Sequence, residues 1–470
     1  MMKKINNIAY QLVFLGVLGL YACEDFVEVE VPDHLITGST VFANEETAQS
    51  AMTGIYNQLF NASFANGGNR SVTFLAALSA DNFKPTSNIV EILEFSQNAI
   101  SPDNTWNLDL WAGSYHTIYE VNALLEGVAQ AQDLPEGTKS SLTGQAKFIR
   151  AFTYFYLHQL YGDVPLLLET DYRANATAPR ASSSEVEAQI LSDLQEAIAL
   201  LPEEYPDGDR TRPNKYTAMG LLARVYLFQE NWEQAAYYSE QVISQASLYE
   251  LLADPNEVFL ANSREALWQI SPIGWGSSFT HTREGNLFIK DATTNTPVAL
   301  AEDFMEVWSA PEDLRFINWI ASFQDGEEVL YYPYKYKIAY EASGGEITEY
   351  SMVLRLAEQY AIQAEAQAQL GNLTQAMNSI DHLRERAGVP LLAEATTTPD
   401  QEELLSLILQ ERRKEFFAEW GHRWLDLKRT GNTALLSNKP QADWEATDSR
   451  YPIPQQERLK NTYLSQNPGY

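Results

Sequence analysis

Two stretches of this chain, ARVYLFQENWEQA at 223–235 and AEAQAQLGNLTQA at 364–376, lie on each other without a gap. Ala223 matches Ala364, Asn231 matches Asn372 and Ala235 matches Ala376. Each reads as a helix, a tight turn and a second helix. Small residues at the crossing let the two helices approach closely, and a common turn at Glu230-Asn231 or Gly371-Asn372 sets their angle. Repeats usually run contiguously, yet more than a hundred residues separate this pair, so something has been inserted between them.

The alanine spacing and the turn resemble tetratricopeptide repeats; chance likeness between two alanine-rich amphipathic hairpins is the competing reading. Other helical stripes support a mainly α chain. Asn44 is placed to cap a helix carrying Ala48, Met52, Ile55 and Leu59. Leu108, Trp111, Tyr115 and Ile118 mark a second. Leu142, Ala146, Ile149, Tyr156 and Leu160 mark a third, with Phe148, Phe152 and Phe155 on another face, so that it should be buried nearly all round. Gly162 and Pro165 end it within YGDVPL. Ser184 with Glu187 signs the start of a further helix, which stops at Pro202.

The densest mixture of charge and aromatic surface is QERRKEFFAEWGHRWLDLKRTG at 410–431. Leu405, Leu409, Phe416, Trp420, Trp424 and Leu427 recur at helical spacing and predict one helix. Thr398, Pro399 and Gln401 sign its start, and Lys428 and Arg429 before Gly431 sign its end. Arg412, Glu415, Glu419, Arg423 and Asp426 are threaded between the rings. No nucleophile or metal set joins them in sequence, so they read as ion pairs that lock this helix against the scaffold.

Periodicity fails over about 61–105 and about 250–350, which read as irregular insertions. The second has strand-like content in WQISPIGWGSSF and EEVLYYPYKYKI. From 431 to 470 the chain is irregular, but Tyr451, Ile453, Tyr463 and Leu464 are expected to pack back on the body.

The first residues carry Lys3 and Lys4 ahead of an apolar run from Leu12 to Leu20 that is too short to span a bilayer, which reads as a signal peptide over 1–22. Cys23 follows and is the only cysteine, so no disulfide forms within the chain. Leu20-Tyr21-Ala22-Cys23 resembles a bacterial lipoprotein cleavage site, with Tyr21 bulkier than the usual residue, and makes Cys23 the lipid-attachment site. Residues 23–43 then read as a lipidated tether, and 44–470 as a single domain. With 32 Lys plus Arg against 63 Asp plus Glu, the net charge of −31 opposes nucleic acid as a partner.

Four features converge: the lipidated start, the dispersed hairpins, RAFTYFYLHQLYGDVP at 150–165, and RRKEFFAEWGHRWLDLKRTG at 412–431 followed by a terminal NPGY. Together they resemble the SusD/RagB family of Bacteroidetes nutrient-binding lipoproteins. The resemblance implies a tetratricopeptide-like helical hairpin scaffold whose irregular, partly β insertions form a ligand face. It implies further an outer-membrane, cell-surface binder, not an enzyme, that captures glycans or peptides and delivers them to a SusC-like TonB-dependent transporter. Glu24 and Asp25 resemble the acidic signal that directs such lipoproteins to the cell surface.

A binder of oligosaccharides needs flat apolar plates for sugar C–H faces, with amides or carboxylates nearby. Trp275 leads the candidates because Gly274 and Gly276 flank it; an ordinary core tryptophan is the competing reading. Trp319 and Phe323 lie in the same insertion. Phe83 and Trp106 belong to the other irregular region, and Tyr331 and Tyr332 are weaker candidates, since their run more often makes a strand covered on both faces. For catalysis the inventory is poor. The six histidines show no HExxH or other metal-ligand spacing, and neither a phosphate-cradling glycine loop nor a G-x-S-x-G elbow is present, so neither metal nor cofactor is expected. The rival classes are a peptide-binding lipoprotein of the same uptake type, a surface helical glycoside hydrolase, and a scaffold that binds no small ligand.

Overall fold

The computed structural model describes residues 41–470 except 206–207, 276–278, 291–295, 341–344, 395–398, 441 and the side chain of Trp275. Cys23, the signal peptide, Thr398 and nearly all of the tether lie outside the described residues.

The two matched stretches fold alike. Lys215–Phe228 and Trp232–Ile243 make one helical hairpin, and Leu356–Gln369 and Leu373–Arg386 make the other. Glu230 and Gly371 both turn left-handed, with φ of 57° and 80°. The next residue of each, Asn231 or Asn372, donates its N–H to the carbonyl five positions back, on Tyr226 at 2.9 Å or Gln367 at 2.8 Å. Ala223, Ala235, Ala364 and Ala376 are fully buried, as close helix crossing requires.

The intervening segment does not interrupt the stack. Trp232–Ile243 packs directly on Leu356–Gln369, and the Ser239 hydroxyl donates to Gln363 Oε1 at 2.8 Å. Ahead of it, Thr105–Gln130, Glu136–Tyr161, Ser183–Leu200 and Lys215–Phe228 pack each on the next; after it, Gln401–Glu415 closes on the last hairpin. Glu136–Tyr161 is buried at every position from Phe148 to Leu157, and ends at Gly162 with φ 75°. Arg224 ties three helices together, reaching Glu358 through two bonds of 2.6 Å and the Tyr156 hydroxyl at 2.8 Å. The inserted segment is closed at its base by strand Ala266–Ile270 pairing antiparallel with Ser351–Arg355, which runs straight into the Leu356 helix. Ile320–Asp325 and Glu328–Pro333 form a hairpin within it. Tyr451, Ile453 and Leu464 pack back on the body, whereas Tyr463 sits in a turn at Asn461–Leu464 and is exposed.

Besides Tyr463, four expectations are corrected. The 61–105 region contains two helices, Val72–Ser79 and Val90–Gln97. Every residue of the first is buried, so its sequence has no polar face and no helical period to read. The helix expected to start at Ser184 is capped two residues earlier, by a Ser182–Glu185 box. The helix signed by Thr398 is capped by Asp400, which accepts the Glu403 N–H at 2.9 Å.

The fourth correction is the largest. The 410–431 stretch is two helices, Gln401–Glu415 and His422–Arg429, with Ala418, Trp420 and Gly421 left-handed between them at φ 57°, 44° and 68°. The first helix buries Leu404, Ile408, Glu411, Arg412 and Glu415, one position from the expected Leu405 and Leu409, which are half-buried. The bend drives Trp420 into the core beside Phe152 and Tyr156, at ring separations of 5.1 and 5.2 Å, with its indole N–H on Met352 O at 2.8 Å. Burying about 200 Å² of indole at ~25 cal/mol per Å² gains roughly 5 kcal/mol, which exceeds the about 1–2 kcal/mol that each of Ala418 and Trp420 costs in this conformation. Only glycine fits at 421: a Cβ there would stand 2.5 Å from Ala76 Cβ.

Candidate ligand-binding site

The charged residues of the bend are committed to one another. Glu415 is fully buried and accepts from Arg355 at 2.6 Å, from Arg315 at 3.4 Å and from Arg386. Glu419 accepts from Arg355 at 2.8 and 3.0 Å and from Lys335. Arg412 grips Asp426 at 2.9 and 3.1 Å, and Arg423 grips Asp81 through two bonds of 2.7 Å. Burial alone would raise the Glu415 carboxyl, but Arg386, Arg355 and Arg315 hold it far below the usual range. His422 is driven well below 6.5 by burial and then by the neighbouring arginines, so it stays neutral. The cluster is a structural hub, as its sequence suggested. It locks the bend to both the last hairpin and the inserted segment.

The two irregular regions meet at a short antiparallel pairing, Phe83–Pro85 with Val298–Leu300. Thr86 continues it, its N–H on Pro297 O at 2.9 Å and its hydroxyl on Thr296 O at 2.7 Å. Two clefts border this seam. One, of about 360 Å³, is walled by Ile89, Ile92 and Trp106 from the first region and by Arg283, Asn286, Leu287 and Pro297 from the second, with Gly68 and Asn69 between them. The other, of about 330 Å³, lies among Lys84, Leu300, Glu302, Met305 and Tyr331. Both fall in the lower range of small-molecule sites, roughly 300–1,000 Å³.

Local structure explains how the first cleft is held. Asn104 caps the Thr105–Gln130 helix and fixes Trp106 in its first turn. Arg283, Asn286 and Leu287 stand on the short helix Arg283–Phe288, capped by Thr282. Glu284 of that helix points inward and is 2% exposed. One of its carboxyl oxygens accepts the Ser351 hydroxyl, and the other has no hydrogen-bond partner. Gly67 lies on this carboxyl so closely that a Cβ would meet Glu284 Cδ at 2.0 Å. Burial pushes the Glu284 carboxyl up to about 7, against the Ser351 bond. The cleft thus offers apolar walls for C–H faces and the exposed Asn69 amide for hydroxyls, while the Asn286 amide nitrogen donates to Ala339 O at 3.0 Å.

A larger cleft of about 860 Å³ lies on the scaffold, between the Glu230–Trp232 turn, Gln401–Glu415 and the end of His422–Arg429. Arg429 on its wall is bound to Glu365 at 2.7 Å, and Trp232 is its one aromatic residue among those described. Its walls belong to the stacked helices rather than to the irregular regions, and Glu365 and Glu402 place carboxylates on them.

The rings expected to face ligand divide four ways. Trp319, Phe83 and Tyr332 are core. Trp319 is fully buried with its indole N–H on Pro255 O at 3.0 Å and Lys335 Nζ over its ring at 4.7 Å. Phe83 stacks on Phe288 at 5.6 Å, and Tyr332 packs edge-on to Tyr334 at 6.2 Å. The partners of Trp319 and Phe83 lie far away in sequence, which is why burial was not readable there, whereas Tyr332 belongs to the covered strand that its run suggested. Trp106 is 6% exposed and shows the cleft wall only a small part of its ring. Phe323 and Tyr331 are half-buried; Lys290 Nζ stands 5.0 Å over the Phe323 ring, and Tyr331 lines the second cleft. Trp275 ends the turn Pro272–Trp275, which lies against the Glu45–Asn61 helix; its side chain is outside the described residues. Sequence reasoning missed Asn69, Arg283 and Asn286, which no motif distinguishes from other polar residues.

Comparison with known proteins agrees with this architecture. A family model described as starch-binding associating with outer membrane matches residues 25–227, and the SusD family model matches 320–470. A SusD-like protein of Formosa agariphila is 26% identical, over 92% of this chain and 90% of that one. A SusD superfamily crystal structure from Bacteroides vulgatus superposes with a TM-score of 0.80 at 21% identity, covering 91% of this chain and 99% of that one. A laminarin-binding SusD-like protein superposes with a TM-score of 0.75 at 25% identity, covering 91% and 100%. The stacked hairpins, the bend at 416–421 and the family matches at both ends lead to one assignment: this chain belongs to the SusD/RagB family.

Proposed function

We propose that this protein is a non-catalytic glycan-binding protein of the outer-membrane surface. It captures oligosaccharides at the seam of its irregular regions and delivers them to a SusC-like TonB-dependent transporter, held at the membrane by a lipid on Cys23. The observation that carries this reading is the pair of mixed apolar and polar clefts formed where the two insertions meet, away from the stacked hairpins. A similar protein named for laminarin binding and a family model named for starch binding support glycan over peptide. The commitment of Glu411, Glu415, Glu419 and Asp426 to arginine and lysine partners supports binding over hydrolysis, because a catalytic carboxyl must be reachable by substrate. Trp275, Phe323, Tyr331 and Trp106 remain the proposed contact rings.

Calorimetric titration of the full chain against neutral and acidic oligosaccharides and a peptide panel tests this. Glycan binding is expected, with Trp275→Ala weakening it by roughly tenfold and leaving the unfolding temperature nearly unchanged. Binding to peptides and to no glycan, or release of reducing ends from a polysaccharide by purified protein, overturns the reading.

A further inference from the structure

The two walls of the 360 Å³ seam cleft meet at Glu284. In the chain this residue lies between Arg283 and Asn286, which stand on one wall; in space its carboxyl lies against Gly67, next to Gly68 and Asn69 on the other. A Cβ on Gly67 would stand 2.3 Å from both carboxyl oxygens, so only hydrogen fits between them. The carboxyl is incompletely bonded. The Ser351 hydroxyl donates to Oε1, and Oε2 has no partner among the described residues. Of the charged groups around it, Arg283 favours its ionisation and Glu349, which accepts the Lys337 N–H at 2.6 Å, opposes it. Lys335, Tyr336 and Ala418 border a cavity of about 10 Å³ that Glu284 also lines. The Lys335 ammonium is taken by Glu415 O and Glu419, the Tyr336 oxygen accepts the Met352 N–H at 2.9 Å, and Glu419, next to Ala418, is bound to Arg355. On the Gly67 side the next charged residue is Arg70, paired with Asp109. Burial dominates, and the proton stays on up to about 7.

A neutral acid tolerates one bare oxygen in such a place, whereas a carboxylate there must find a donor. The main chain lying on it is the turn at Gly67, where φ is 74°, and the Gly68 N–H is already spent on Asn66 Oδ1 at 2.8 Å. Ionisation is therefore satisfied by redrawing this turn or by admitting water between the walls. We propose that Glu284 is a proton-operated latch between the two walls of the cleft: protonated, it lets Gly67–Asn69 close on the Arg283–Phe288 helix, and ionised, it parts them and weakens the hold on a ligand. That the ligand is an oligosaccharide rests on the glycan-binding reading; the latch itself does not. Closure is favoured at acid pH and is lost as pH rises through about 7, because the folded carboxyl holds its proton past the ordinary value of about 4.5.

Hydrogen exchange of the full chain, read by mass spectrometry between about pH 5.5 and 8.5 and corrected for the intrinsic pH dependence of exchange, tests the latch without a ligand. The Ser71 and Val72 amides, which bond Gly68 O and Phe64 O at 3.0 Å, report on the turn. Their stretch is expected to lose about three- to tenfold in protection as pH rises, more than the Lys215–Ile243 hairpin loses. Glu284→Gln should remove this loss, and Ser351→Ala, which takes away a hydroxyl that favours the charge, should carry its midpoint to higher pH. The unmodified protein and Ser351→Ala keep the test decisive if Glu284→Gln does not fold. Unchanged protection, or an equal loss in the hairpin, overturns the latch. Calorimetric titration with laminaritetraose and maltotetraose over the same range reads the consequence, an affinity about three- to tenfold weaker at the alkaline end and flat with Glu284→Gln. Affinity independent of pH overturns the coupling to ligand. Failure of both sugars to bind at any pH, with the exchange loss present, counts against the glycan reading and leaves the latch standing.

Discussion

The hub around Glu415 and the cleft around Arg283 are built from the same residue types, arginine, carboxylate and large aromatic rings, and they do opposite things. In the hub every carboxylate is met by guanidinium or ammonium groups and sealed under rings, as with Arg355 between Glu265, Glu415 and Glu419 and 4.5 Å from the Phe416 ring centre. At the seam the Arg283 guanidinium stands over the Phe60 ring with its Nε on Phe60 O, and the neighbouring Glu284 carboxyl is buried against the Ser351 hydroxyl. Charge neutralised inside becomes structure, whereas at the seam a charge stands on the wall of an open cleft. The two also respond to pH in opposite directions. Burial opposes ionisation of Glu415 and Glu419, but their cationic partners prevail and depress both, so the stability they contribute is present above the unfolded carboxyl value of about 4.5 and is lost as pH falls through their folded values. Glu284 is raised, so it binds its proton more tightly in the folded state and stability falls as pH rises from about 4.5 to about 7.

The strongest way to break this comparison is Glu415→Ala, which leaves Arg315, Arg355 and Arg386 without their shared carboxylate. A loss of about 3–5 kcal/mol in urea-induced unfolding is expected, and a loss under ~1 kcal/mol would mean that the hub is not what holds the bend. A smaller effect of opposite sign is expected from Glu284→Gln. Replacing a carboxyl that must ionise in a buried site should stabilise the protein above pH 7 by about 1–3 kcal/mol relative to its effect at pH 4, and flatten the slope of stability between pH 4.5 and 7. An unchanged slope in thermal unfolding across that window would show that Glu284 is already paired. The smallest is Asn69→Ala, an exposed residue of the cleft. It should weaken oligosaccharide binding about three- to tenfold and shift stability by less than about 0.5 kcal/mol. An unfolding shift without an affinity change would move Asn69 from site to scaffold.

Much of the scaffold was legible because its signals are local. Asn44 caps where it was expected to cap, the Glu230-Asn231 and Gly371-Asn372 turns are the same turn, and YGDVPL ends its helix at Gly162. The misreadings occur where distant packing outweighs local preference. Val72–Ser79 lost its period because it is buried all round, and the 410–431 helix bends because Phe152, Tyr156 and Met352 take the Trp420 indole. The ligand face was less legible still. Phe83 and Trp319 looked like loop aromatics, and their covering partners, Phe288 and Pro255, lie far off in sequence and follow no periodic rule.

The sequence by itself determined the repeat hairpin, its alanine crossings and its turn, since each depends on residues within a few positions of one another; the Arg412–Asp426 stretch announced ion pairs, but the fold supplied Arg355, Arg386, Lys335 and Asp81 to make them. Only the tertiary structure decided that the segment between the repeats leaves the stack continuous, and that Asn69 and Trp106 share a cleft with Arg283 and Asn286. A helix is held by contacts three or four residues apart, whereas this cleft is made by apposing segments nearly two hundred residues apart, and burial at such a contact belongs to neither segment alone.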